Sequence, residues 1–215
     1  NLNDKSLINL SMKNKLMYLV AVLFAACVGF SSCGDDDDDD IPVEFSGTWK
    51  FDKTHFVFDY SEENITIPSM DPMTPQEITN TVIQLGNEKM GEYFTGIRFD
   101  SKKDLTILMK IDGANKELSA TYVVQKSKID VTLNKDELSV LVGKDIPMMP
   151  AISLIYEMGT TDLTLFIDKT YIQTLLSIVD NLDLDLSMQE QLIFTAAKAI
   201  LNKTTTLEIG ATLKR

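Results

Sequence analysis

His55 is the only histidine in this 215-residue chain, so a histidine-rich metal cluster and a relay that needs a second imidazole are both excluded. It lies in Thr54-His55-Phe56-Val57-Phe58-Asp59-Tyr60, on the strand face opposite Phe56, Phe58 and Tyr60, and reads there as an exposed, inert side chain. No phosphate loop, Gly-x-Ser-x-Gly elbow or His-Glu-x-x-His stretch occurs. Asp183 and Asp185 fall between two helical patterns, where carboxylates solvate and cap rather than act as a catalytic pair. Four methionines, Met70, Met73, Met148 and Met149, stand in proline-bordered loops. Flexible thioethers suit the rim of an adaptable apolar pocket, although they also fill irregular cores without any function. Copper capture would need a neighbouring histidine or cysteine, and none is near in sequence. These residues predict no enzyme, no metal and no cofactor.

The remaining reactive side chain is Cys33, and what precedes it sets its chemistry. Lys13 and Lys15 lead into an apolar run over residues 16–30, followed by Ser31-Ser32-Cys33, the layout of a secretory signal. A bilayer-spanning helix needs about 20 apolar residues, and this run is shorter. Residues 1–11 precede Met12, the expected start. Cys27 leaves with the signal, so the mature chain has no cysteine with which Cys33 can form a disulfide. Phe30-Ser31-Ser32-Cys33 resembles the lipobox of bacterial lipoproteins in its looser Bacteroidetes form. That resemblance implies cleavage before Cys33 and lipid attachment to it.

Asp35, Asp36, Asp37, Asp38, Asp39 and Asp40 follow at once. Adjacent carboxylates repel one another and bury nothing, so the run reads as a solvated, extended tether. A calcium site would space its ligands by turns, and a monotonous run does not. Acid directly after a lipidated cysteine resembles the lipoprotein export signal of Bacteroidetes, which implies the outer membrane and its cell-surface face, with the periplasmic face as fallback. The chain thus divides into a leader and signal at 1–32, a lipidated acidic tether at 33–44 and a domain at 45–215.

The net charge is −12 for the whole chain and −14 without the leader, of which the aspartate run supplies −6. A domain this acidic opposes phosphate backbones, whose affinity for proteins comes from Lys and Arg, so nucleic acid is not an expected partner.

Most of the domain alternates with period two, the mark of half-buried strands. Leu105, Ile107, Met109 and Ile111 share a face, as do Leu118, Ala120, Tyr122 and Val124, then Ile129, Val131 and Leu133. Leu138, Val140 and Val142 continue the pattern, followed by Ile152, Leu154, Tyr156 and Met158, by Leu163, Leu165 and Ile167, and at the end by Leu207, Ile209, Ala211 and Leu213. Polar links at 101–104, 113–116 and 159–161 read as hairpin turns, giving an antiparallel meander. Three segments have helical spacing. Thr74-Pro75-Gln76-Glu77 is a capping box that opens a helix to about Met90, with Ile78, Val82 and Leu85 on its apolar side. Asp168 caps a second helix carrying Tyr171, Ile172, Leu175, Leu176 and Val179. Ser187 caps a third, with Leu192, Ile193, Ala196, Ala197, Ile200 and Leu201 toward the core.

Phe45-Ser46-Gly47-Thr48-Trp49-Lys50-Phe51 resembles the Gly-x-Trp opening strand of lipocalin-like, or calycin, barrels. The resemblance implies a mostly β domain with added helices. Its meander would close into a barrel with Trp49 across the closed end, one helix after the first strands and a helical pair before the last. Together with the lipobox it identifies the chain as similar to Bacteroidetes outer-membrane lipoproteins with a lipocalin-like domain of unassigned function. Two functions follow from different classes. In one, the barrel binds a small apolar ligand without catalysis; in the other, a barrel filled by its own side chains is a structural or protein-interaction module that meets another envelope protein.

Overall fold

The computed structural model describes residues 45–66, 72–142, 151–181 and 188–215. In chain order the elements are β1 (Gly47–Tyr60), α1 (Pro75–Tyr93), β2 (Phe94–Phe99), β3 (Asp104–Ile111), β4 (Ala114–Gln125) and β5 (Lys128–Leu133). They continue with α2 (Lys135–Val142), β6 (Ile152–Met158), β7 (Asp162–Asp168), α3 (Lys169–Asn181), α4 (Met188–Lys203) and β8 (Thr204–Lys214). The eight strands pair antiparallel in sequence order, and β8 returns to β1 to close a barrel. Closure removes the sheet edges except along β1 beyond Lys50, which β2 does not pair.

Alternation decides which face is inside, because cross-strand partners share a face. Trp49 pairs with Ile97, Leu105 with Ala120, Tyr122 with Val131 and Leu163 with Leu213. All eight are buried and belong to one contiguous core. The outward positions Arg98, Glu117, Ser119, Thr121 and Thr132 are polar, the inverse of the apolar band that a membrane-spanning barrel turns to lipid. No helix among the described residues is long and apolar enough to cross a membrane.

The strand alternations expected at 105–111, 118–124, 129–133, 152–158, 163–167 and 207–213 fall in β3 to β8. The β3–β4 turn is tighter than the expected link at 113–116. Asp112 and Gly113, at φ 51° and 78°, form its two central residues, and Ala114 already pairs with Ile111.

Two expectations differ. Leu138, Val140 and Val142 lie in helix α2 and not in a strand. Asn134 caps that helix, its Oδ1 accepting from the N–H groups of Asp136 (3.1 Å) and Glu137 (3.2 Å). Glu137 in turn accepts from the Asn134 side chain and from both the backbone N–H and the hydroxyl of Ser119. The cap overrides an alternation whose middle residue, Val140, is 83% exposed. Strand β2 was not expected at all. A bulge at Thr95 makes the inward residues Phe94, Ile97 and Phe99, which breaks period two. The first helix therefore follows one strand, and four helices are described instead of three.

The capping box at Thr74 forms as the motif predicts. The Glu77 N–H donates to Thr74 Oγ1 (3.2 Å), and the Thr74 N–H donates to Glu77 Oε2 (2.8 Å). Asp168 Oδ1 accepts from the Tyr171 N–H (2.8 Å) at the start of α3. Leu85 is 51% exposed and Ala197 is exposed, so these two do not share their helices' buried sides. Leu175 and Leu201 are buried as expected.

Candidate functional site

The two ends of the barrel are built differently. Beside Trp49 the strands are joined by short turns, and both the entering chain at Phe45 and the final Arg215 lie there. At the other end β3 and β4 meet in their two-residue turn, and the remaining strands are connected through α1, through α2, and through α3 and α4.

The first end is plugged. Trp49 is 1% exposed, its indole N–H donates to the Phe45 carbonyl (3.0 Å), and the Arg215 guanidinium stands 4.5 Å from its ring centroid. Phe45 packs at 5.3 Å on Phe99 and edge-on at 5.0 Å to Tyr156, while Phe99 meets Tyr122 at 5.1 Å. Outside this plug lies an open depression of about 510 Å³ lined by Trp49, Met158, Gly159, Thr160 and Arg215. Burial and the nearby Asp104 push the Tyr122 phenol up. Its hydroxyl donates to the Ser101 carbonyl (2.9 Å) and so ties the β2–β3 turn over the plug.

The second end is an apolar mouth. β1 pairs with β2 only as far as Lys50 and then runs on against β8 alone. Its inward side chains there are Phe56, Phe58 and Tyr60. Their rings stack in sequence, 5.9 Å apart at interplanar angles of 24° and 28°. Phe56 pairs with Ile209 and Phe58 with Leu207, and Ile209 pairs onward with Ile167. All are apolar and none is fully buried, and Ile209 is 39% exposed. Across the barrel Ile107, Met109 and Ile111 are likewise half-buried on the inner face.

Helix α1 seals the seam where β2 leaves β1. The Thr54 N–H, without a strand partner on that side, donates to Asn87 Oδ1 (2.7 Å), and the Thr54 hydroxyl lies 3.9 Å from Met90 Sδ. Close approach requires Gly86, where a Cβ would come within 2.5 Å of Thr54 Oγ1. No residue of α1 is fully buried, so the helix covers this side of the mouth with one shallow face.

Of the four methionines expected at a pocket rim, Met73 is described. It is half-buried, and its backbone pairs with that of Ile65 just beyond β1, at the mouth end. Met70, Met148 and Met149 lie outside the described residues, as do Cys33, the aspartates 35–40, Asp183, Asp185 and the Ser187 cap.

His55 is on the outer face, opposite Phe56 and Phe58, but it is half-buried and partnered and not exposed. Its side chain is 21% exposed, Nε2 lies 2.8 Å from Glu208 Oε2, and the ring packs at 4.9 Å on Phe166. Gly210 pairs with both His55 and Phe166, and a Cβ there would overlap the Leu165 carbonyl oxygen. Only glycine lets the two rings meet across β8. Sequence distance hid this contact, as it hid Arg215 over Trp49.

Also on the outer wall, Arg98 donates to Asp100 (2.6 Å) and, through both terminal nitrogens, to Glu117 (3.2 and 3.3 Å). These carboxylates push the guanidinium's pKa up. Burial opposes ionisation of Asp100, yet the Thr106 hydroxyl (2.6 Å) and Arg98 outweigh it and hold the carboxyl below the ordinary carboxylate value. The cluster bonds β2, β3 and β4 together on the outer wall. Among the described residues no group of three His, Cys, Asp or Glu side chains is placed to hold a metal ion. Comparison with protein-family models, with curated proteins and with solved structures finds no match to this chain.

Proposed function

We propose that this chain is a lipid-anchored lipoprotein of the bacterial outer membrane whose barrel binds a small apolar ligand at its helix-bearing end, without catalysis. The observation that carries the binding half is the inner wall of the mouth. There Phe56, Phe58 and Tyr60 form a stacked aromatic surface, continued by Leu207 and Ile209, that stays in contact with solvent while the opposite end is plugged. An apolar wall that keeps its exposure in a folded domain gains free energy when a ligand covers it, roughly 25 cal/mol per Å² removed from water. Met73, half-buried just beyond β1 at this end, offers a flexible thioether that can adapt to a ligand's shape; Met70, Met148 and Met149, expected at the same rim, lie outside the described residues. The anchoring half is supported by the resemblance of residues 30–33 to a lipobox and by the acidic run after it.

The test is titration of the purified protein with an apolar, environment-sensitive fluorophore. Binding with saturation is expected, and Phe58→Glu should weaken it at least tenfold while leaving the circular dichroism spectrum unchanged. Absence of binding, or binding indifferent to Phe58→Glu, would favour the structural or protein-interaction reading, in which the barrel is filled by its own side chains.

A further inference from the structure

The two ends of the barrel differ in charge as well as in shape. The segments that make up the plugged end, residues 46–50, 98–105, 122–129, 157–163 and 213–215, carry eight cations and four carboxylates. The other described residues carry eight cations and sixteen carboxylates. Among the described residues, whose charges sum to −4, positive charge is therefore gathered at one end. Lys102 and Lys103 project from the β2–β3 turn, Lys126 and Lys128 flank the β4–β5 turn, and Lys214 and Arg215 finish β8, all six exposed. Of the acids among them, Asp100 is held by Arg98 and Asp104 accepts from the Ser101 hydroxyl (2.6 Å), while Glu157 and Asp162 flank the β6–β7 turn; of the cations, Lys214 pairs with Asp52 (3.1 Å) and Arg215 stands over the Trp49 ring.

The same end is where the chain enters. Phe45 sits under Trp49, and twelve residues separate it from Cys33, a reach of at most about 40 Å when fully extended. From the charge asymmetry and this point of entry we infer that the plugged end is a docking face for an anionic lipid surface. It seats on headgroup phosphates and directs the apolar mouth away from the bilayer. The inference rests on the anchoring half of the proposed function. Given that anchor, tethering supplies the high local concentration that lets about six exposed cations, each weak when alone, act together on a negatively charged surface. Salt weakens such contacts between exposed charges, with a screening length of about 10 Å at 0.1 M. One consequence is that ligand enters from the aqueous side and not laterally from the membrane.

Trp49, the single tryptophan, is a built-in reporter of the plugged end. The lipidated protein is placed on vesicles of phosphatidylcholine, or of phosphatidylcholine with phosphatidylglycerol, containing a dansyl-headgroup lipid, and energy transfer from tryptophan is measured. Transfer from Trp49 should be strong with phosphatidylglycerol. It should fall at least twofold in 0.5 M salt and in the Lys102→Glu, Lys103→Glu, Lys126→Glu, Lys128→Glu protein, which keeps Trp49. A Trp49→Phe, Val140→Trp protein reports the mouth end and should show less than half the transfer. Equal or greater transfer from position 140, or a Trp49 signal indifferent to salt and charge reversal, overturns the inference. So does a dependence on phosphatidylglycerol that appears only when the aspartates at 35–40 are replaced by alanine, because the chain's own tether then occupies the cations. Intact mass read beforehand keeps the two failures apart. Protein without lipid on Cys33 defeats the anchoring reading itself, whereas lipidated protein docked mouth-down defeats this inference alone.

Discussion

Trp49 is where a single side chain carries most weight. It is nearly inaccessible, hydrogen-bonded through its indole, and covered by a guanidinium from the other end of the chain. Trp49→Ala should cost about 3–5 kcal/mol of stability in chemical denaturation, the usual penalty for deleting a large buried aromatic. A loss below about 1 kcal/mol would show that the plug is not part of the cooperative core. Asp100 gives a prediction in pH. Its folded carboxyl titrates below the ordinary carboxylate value, so the folded state favours the ionised form more than the unfolded chain does. That stability is present above a pH of about 4, the ordinary value for aspartate, and is lost as pH falls through the folded pKa. Thr106→Val removes one of the two groups that hold the carboxyl down. It should raise the Asp100 pKa in a carbon-detected NMR titration and flatten the acid limb of the stability curve; an unmoved titration would assign the effect to Arg98 alone.

Two helices at the element scale depend on one polar residue each. Asn134 organises the start of α2 and brings Glu137 to Ser119 on β4. Asn134→Ala should lower stability by about 1 kcal/mol, the typical cost of a lost N-cap, and loosen α2 before the barrel in amide hydrogen exchange. Asn87 fastens α1 to β1 by accepting from the Thr54 N–H, a donor left without a partner where β2 has parted from β1. Asn87→Ala should speed exchange of the Thr54 amide and of the α1 amides facing it, while β3 to β5 keep their protection. Uniform acceleration across all strands would mean that α1 is integral to the barrel and not a cover fastened at the seam. Because α1 spans the edge of the aromatic wall, the same substitution should also change the off-rate of an apolar probe.

For the molecule as a whole, the plugged end and the open end divide the work. The plug is part of one contiguous core, and neither of the chain's two cysteines, Cys27 and Cys33, lies in the barrel. Chelator and reductant should therefore leave the melting temperature unchanged, and a drop with chelator would reveal a structural metal. Processing is tested in cells. Cys33→Ala should abolish labelling by palmitate and release the protein from membranes, and continued membrane retention would refute the lipid anchor. Replacing the aspartates at 35–40 with alanine should keep the lipid yet move the domain out of reach of protease added to whole cells; unchanged accessibility would remove their role in export.

Local physics made much of this legible from the residues. Period-two alternation marked six of the eight strands, because a strand buried on one face must alternate wherever it pairs. The Thr74 box and the Asp168 cap marked helix starts, because a cap is satisfied within four residues. The Gly47-x-Trp49 opening pointed to the plug. What the tertiary structure alone decided is non-local. β2 shows its face only once the Thr95 bulge is opposite β3, and α2 wins over an alternating run because Glu137 finds Ser119 on another strand. Barrel closure, and with it the separation of a plugged cationic end from an apolar mouth, requires β1 to meet β8 across about 150 residues of chain. The contacts of His55 with Glu208 and of Arg215 with Trp49 exist only after that closure, so no short-range pattern encodes them.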